Sequence, residues 1–200
     1  MTKFLLIRHA TTSAVGKRLS GRKPAVHLND HGLSQVSAIA ASLVNSKISA
    51  IYTSPLERAI QTAAPIAQRL ELTPQIEKDL QEIDFGDWTD KSFDALATDQ
   101  HFSRFNAFRS GTRIPGGEMM LEAQIRIVRV MQALSTKHPE ATVALVSHSD
   151  IIKAALAYYA GIPLDMMQRL EISPASVSVL DLYTDFASLQ LLNFTGQLQI

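Results

Sequence analysis

Two histidines far apart in the chain each follow an apolar run. Arg8 and His9 close the stretch Phe4-Leu-Leu-Ile7, and His148 follows Val143-Ala-Leu-Val146. Short runs of this kind read as buried parallel strands, and in open α/β sheets ligands bind beyond the carboxyl ends of the strands. Two imidazoles placed there converge on one crevice. Arg8 and Arg58 add planar, permanently charged forks that match phosphate oxygens in pairs, which a lysine cannot reproduce. A neutral imidazole can attack phosphorus directly, and flanking guanidinium groups lower its pKa toward that neutral form. The chemistry these residue types support is phosphoryl transfer, with His9 as nucleophile, no metal ligand set and no cofactor.

The elements that must position these groups alternate strand and helix without linker, repeat or low-complexity tract. One α/β domain over residues 1–200 is expected, with a mostly parallel central sheet and helices on both faces. After the first strand comes a polar, basic loop through Lys23, then a helix over residues 30–45 capped by Asn29. A short strand over 50–53 leads to Ser54-Pro55-Leu56-Glu57, which predicts a helix with Ser54 as N-cap and Glu57 closing a capping box. Arg58 then sits in the first turn. The starts of this helix and of the one after His148 would add positive dipole ends and free N–H groups. Residues 92–110 read as one or two short helices, 118–137 as a long one, and 150–160 as a helix with Ser149 as its cap. The tail predicts two strands, 176–183 and 189–192, forming a hairpin at the sheet edge.

Composition excludes several classes. Of 200 residues, 19 are basic and 19 acidic, so no net field draws the chain to nucleic acid or an anionic membrane. The run Lys17-Arg-Leu-Ser-Gly-Arg-Lys23 lacks the interleaved aromatics that stack bases and reads as a solvated loop. There is no cysteine, which removes disulfides, thiolate nucleophiles and Cys-based metal sites. The four apolar residues before Arg8 are too few for a secretory core, and no run approaches a membrane span, so a cytoplasmic protein is expected. The partner expected is a small-molecule phosphate ester; a homodimer through the free sheet edge is the one protein contact the pattern suggests.

Taken together, five segments in order resemble the histidine phosphatase, or phosphoglycerate mutase-like, superfamily. They are Leu6-Ile-Arg8-His9-Ala10-Thr-Thr12, Thr53-Ser-Pro-Leu-Glu-Arg58-Ala-Ile-Gln-Thr62, Leu80-Gln-Glu82-Ile-Asp-Phe85-Gly86-Asp-Trp88, Pro115-Gly-Gly-Glu118 and Val146-Ser-His148-Ser149. The resemblance implies a phosphohistidine on His9, a phosphoryl group held by Arg8, Arg58 and His148, and Glu82 protonating the leaving oxygen before activating water. A carboxyl in that role needs a pKa raised by burial or a like charge, which Asp84 or Asp87 would supply. Both are also rival acids, and spacing alone does not choose among the three. Ser20 and Gly21 fall where the family places phosphate contacts, and Thr12 and Ser149 each offer a hydroxyl.

The sequence departs from the common pattern at Ala10, Thr11, Val15 and Ser149. Alanine at position 10 adds a methyl group where backbone could approach phosphate. The short stretch between Trp88 and Pro115 favours a phosphatase over a phosphoglycerate mutase-type phosphomutase, and the chain looks most like a bacterial subgroup labelled probable phosphomutases. A catalytically weak phosphate-binding or regulatory domain is the third reading. Phe102, Phe105 and Phe108, beside Arg104, Arg109 and Arg113, form either a lid over the substrate or a helix anchored in the core.

Overall fold

In the computed structural model, which describes residues 1–196, six strands form one sheet in the order β3-β2-β4-β1-β5-β6. Strands β1 (Thr2–Arg8), β2 (Ile48–Thr53), β3 (Gln75–Ile76) and β4 (Thr142–Ser147) run parallel; β5 (Val177–Leu182) and β6 (Ala187–Phe194) complete the sheet as an antiparallel hairpin. The sheet is therefore mostly parallel, with the expected hairpin at one edge.

β1 lies in the middle of the sheet, and Phe4, Leu5, Leu6 and Ile7 are all buried because both of its faces are covered. Alternation sorts them. Phe4 and Leu6 pack with residues of α5 (Met120–Lys137) and α6 (Ser149–Tyr159), whereas Leu5 and Ile7 pack with α1 (Asp30–Ser42) and α2 (Glu57–Arg69). Helix layers on both faces give the three-layer architecture that the sequence predicts. Two short helices, α3 (Phe93–Leu96) and α4 (Gln100–Ala107), lie between the third and fourth strands with single 3₁₀ turns at Lys78–Leu80 and Gly86–Trp88. Among the described residues no helix is long and apolar enough to cross a membrane.

Helix starts show which local signals prevailed. Asn29 caps α1 as expected, its side-chain oxygen accepting from the Gly32 N–H at 2.9 Å. That helix ends at Ser42 rather than residue 45, since the Ser42 and Ser46 hydroxyls bond to nearby carbonyls and Lys47 turns the chain at φ +53°. α2 starts at Glu57, after an extended Leu56 with no side-chain cap bond, so Ser54 lies outside the cap position. Its hydroxyl accepts from the Leu56 N–H at 3.3 Å and faces His148 Nε2 at 2.7 Å. The capping box expected there does not form. Ser149 is likewise the first residue of α6, behind His148 at the cap position.

Gly32 illustrates how tightly α1 is seated. A Cβ there would lie 2.1 Å from the Thr11 carbonyl oxygen, backbone that carries the segment from His9 to Thr12. Gly32→Ala is therefore expected to destabilise the fold by about 1–3 kcal/mol, the range for an overpacked site. Chemical denaturation checks this; an unchanged midpoint would mean that α1 shifts freely.

Candidate active site

The strand register brings the two histidines together. Arg8 pairs with Ser147 across β1 and β4, so the residues that follow emerge side by side. The His9 N–H donates to the Ser147 carbonyl at 2.9 Å, and the two imidazole centroids lie 5.1 Å apart. Both rings are buried.

Arg58 reaches them from the first turn of α2. Its Nε donates to His9 Nε2 at 3.2 Å and its Nη2 to the Gly21 carbonyl at 2.7 Å. On the other side of the His9 ring, Nδ1 lies 2.8 Å from the Ala10 carbonyl. A carbonyl only accepts, so Nδ1 carries the hydrogen and Nε2 keeps its lone pair. Burial, then the charges of Arg58 and Arg8, hold the imidazole well below the usual histidine range and therefore neutral. Burial and the Arg58 charge act on His148 in the same direction.

Among the described residues, three buried nitrogens around this crevice have no hydrogen-bond partner: Arg8 Nε, Arg58 Nη1 and His148 Nδ1. Leaving such groups unsatisfied costs about 1–3 kcal/mol each. Their concentration at one place suits a bound anion. Elsewhere on the two arginines, Arg8 Nη1 donates to the Ile172 carbonyl, Arg58 Nη2 to the Gly21 carbonyl and Arg58 Nε to His9.

Glu82 lies in an irregular segment between the two 3₁₀ turns, with its carboxylate accepting from the Ile83 N–H at 3.0 Å. Burial, and then the charge of Asp150, push its pKa up to about 7. The like charge thus comes from the first turn of α6, and not from Asp84 or Asp87 as expected. Asp84 accepts from the Gly86 N–H and sits 3.5 Å from Arg22, while Asp87 lies beside Gly116. Neither lines the cavity, whereas Glu82 does. Asp150 itself stays ionised: burial works to raise its pKa, but Arg109 and Lys153 outweigh that and hold it below the ordinary value.

A cavity of about 510 Å³ opens above these groups, and Arg8, His9, Arg58 and Glu82 line it. Thr12, Ser20, Gly21 and Ser149 line it as well, and His148 lies just behind. Gly21 turns the chain at φ +50°, where a Cβ would press on Phe85 at 3.2 Å. Ala10, the departure of most concern, directs its methyl group into a small apolar cluster with Val36 and Ala175, and its N–H donates to the Thr62 hydroxyl at 3.1 Å. Its extra methyl group does not line the cavity.

Several contributors lie outside the sequence-based selection. Ser54 contacts His148, and Arg109, Asp150, Lys153 and Gln168 form the far wall through Arg109 Nη1 to Asp150 at 3.2 Å and Lys153 Nζ to Gln168 at 2.9 Å. The phenylalanine stretch divides between its two expected roles. Phe102 lines the cavity, Phe105 is buried against Trp88 with the Arg109 guanidinium 4.5 Å above its ring, and Phe108 is exposed. Arg113 pairs with Glu122 on the surface.

A family model for the histidine phosphatase superfamily (branch 1) matches residues 4–195. The chain is 34% identical over 200 residues to a Mycobacterium tuberculosis protein named Bifunctional protein Rv2228c, covering 98% of this chain and 55% of that one. It thus spans about half the length of this relative. It is 27% identical to Phosphoserine phosphatase 1 of Hydrogenobacter thermophilus, over 90% of this chain and 86% of that one. The solved structure of the alpha-ribazole phosphatase from Shigella flexneri superposes with a TM-score of 0.86 at 26% identity, covering 97% of each chain.

Proposed function

Because the chain belongs to the histidine phosphatase superfamily, we propose that it is a metal-independent phosphatase that hydrolyses a small phosphate monoester through a phosphohistidine on His9. The observation that carries this reading is the pairing of a neutral His9, its Nε2 lone pair facing the Arg58 guanidinium at 3.2 Å, with a buried carboxyl whose pKa is about 7.

In the first step His9 Nε2 attacks phosphorus, the P–O bond to the leaving group breaks, and Glu82 delivers its proton to the departing oxygen. Arg8 and Arg58 hold the equatorial oxygens and meet the negative charge with two positive ones. His148 assists from behind. If the Ser54 hydroxyl donates to Nε2, the ring carries its hydrogen on Nδ1, the unpartnered atom suited to a phosphoryl oxygen. In the second step Glu82, now a carboxylate, takes a proton from water as its oxygen bonds to phosphorus and the P–N bond breaks. Phosphate leaves and both groups return to their starting protonation. Thr12, Ser20, Gly21 and Ser149 contact the ester around the phosphoryl group.

The relatives carry different substrates in their names, phosphoserine in one and alpha-ribazole in another, so membership does not fix the leaving group. The cavity lining also joins aromatic residues, Phe85, Phe93 and Phe102, to the charged Arg109, Asp150 and Lys153. It suits a leaving group with both apolar and polar portions.

The test is incubation with a panel of phosphate monoesters, 3-phosphoglycerate included, in the presence of EDTA, following free phosphate and isomerised product together. Phosphate release insensitive to EDTA is the expected result. Isomerisation without release would replace hydrolysis with a mutase reaction, and binding of phospho-ligands without turnover would support a binding domain.

A further inference from the structure

Glu82 belongs to no helix or strand, and among the described residues its carboxylate has a single hydrogen-bond donor, the N–H of the next residue. Its position is set from behind. The Glu82 carbonyl oxygen accepts from two guanidinium groups that come from opposite directions, Arg22 Nε at 2.9 Å and Arg126 Nη2 at 3.2 Å. Arg22 follows the Ser20-Gly21 segment that lines the cavity, whereas Arg126 projects from the second turn of α5.

Both arginines are held by one carboxylate. Glu118 Oε1 accepts from Arg126 Nε at 2.9 Å, while Glu118 Oε2 accepts from Arg22 Nη2 at 2.9 Å and from Arg126 Nη2 at 3.2 Å. The same Glu118 oxygen accepts from the Asp84 N–H at 3.2 Å, and the Glu118 N–H donates to the Asp84 carbonyl at 3.0 Å. Asp84 balances the cluster, 3.5 Å from Arg22. Two cations and two anions thus bond to or lie beside the backbone from Glu82 to Asp84. Forked guanidinium contacts fix direction as well as distance, which a lysine could not do here.

We propose that Glu118, with Arg22 and Arg126, is a positioning group that aims the Glu82 carboxyl at the leaving oxygen. The proposal rests on Glu82 being the acid of the proposed reaction. Proton transfer demands placement: an acid displaced by about 1 Å loses on the order of 100-fold in rate. The clamp bonds the backbone behind Glu82 and its neighbours Asp79 and Asp84, and among the described residues it makes no hydrogen bond to His9, Arg8 or Arg58, so its effect falls first on the acid. Arg22 gives the clamp a second property. It joins the loop that lines the cavity to the segment that carries the acid, so these two walls are fixed to each other through a single side chain.

The experiment uses the dependence of rate on the leaving group. Substituted phenyl phosphates from p-nitrophenyl to p-methoxyphenyl are hydrolysed by wild type, Glu118→Gln, Arg22→Lys and Glu82→Gln, with kcat/KM taken because it reports the step that forms phosphohistidine. A p-nitrophenolate leaves without help and a p-methoxyphenolate requires the proton. Glu118→Gln and Arg22→Lys are expected to lose roughly 10- to 100-fold for the p-methoxyphenyl ester and less than about 3-fold for the p-nitrophenyl ester. Glu82→Gln should show the same pattern more steeply.

Equal losses for both esters in the two clamp variants, with Glu82→Gln still discriminating, would overturn the positioning role and leave the acid in place. Equal losses in Glu82→Gln would overturn the acid assignment and the proposal with it. Arg22 is only partly buried, so Arg22→Lys keeps the question open to measurement should Glu118→Gln fail to fold.

Discussion

His9→Ala is expected to eliminate phosphate release, with kcat lower by at least about 10⁴-fold, as for removal of a nucleophile that acts as one unit with its neighbours. Alanine removes Nε2, the ring nitrogen whose lone pair faces the Arg58 guanidinium. It removes neither of the two guanidinium groups nor the His148 ring. The variant should therefore still bind phosphate esters, and inorganic phosphate or vanadate should protect it thermally as they protect wild type. Wild type quenched in alkaline denaturant should carry phosphate on one histidine, stable to base and labile to acid, and the variant none. Retention of turnover by His9→Ala would dismiss the covalent route altogether.

The second large effect concerns Glu82 and pH. Its pKa of about 7 is raised, so the carboxyl is protonated below that value and ionised above it. The first chemical step needs the proton, and His9 is already neutral across this range because its own pKa lies well below the usual value. The sign follows: kcat/KM should be level below pH 7 and fall about tenfold per pH unit above it. Asp150 contributes to the upward shift, so Asp150→Asn should move the descending limb to lower pH and leave the plateau where it is. Glu82→Gln should abolish the limb and lower the plateau by about 10²- to 10⁴-fold. A limb that stays in place in Asp150→Asn would mean that burial alone sets the acid.

The sequence shows the parts of this arrangement that depend on periodicity and hides those that depend on three-dimensional competition. The apolar runs ending at Arg8 and Val146 define buried strands with little ambiguity, and the residues after them meet because strand register is fixed wherever both faces are buried. Ser54 was legible only as a helix cap. A hydroxyl beside Pro and Glu satisfies the local signal and accepts from the Leu56 N–H, but nothing in the sequence reveals that it also meets His148, 94 residues away. Asp84 and Asp87 lie beside Glu82 in sequence, yet the charge that acts on the acid comes from Asp150 on another element. Glu118 reads as the start of a helix and serves as an ion-pair centre. The sequence also leaves undivided the fates of Phe102, Phe105 and Phe108, which depend on where Trp88 and Arg109 stand.

The central place of β1 has a consequence for the order in which the site is made. This strand precedes its sheet neighbours by a long way: β4 begins at Thr142 and β5 at Val177. Arg8 takes its backbone and side-chain partners from Ile172, Ala175 and Ser176. At about 5–20 residues per second of synthesis, the apolar stretch from Phe4 to Ile7 waits on the order of ten seconds for a partner. Such a topology folds slowly, since contacts distant in sequence must close before the central strand is covered. A nascent chain stalled short of Val177 should therefore bind no phosphate and expose that stretch to chaperones, and the active site should form as one of the last events of folding.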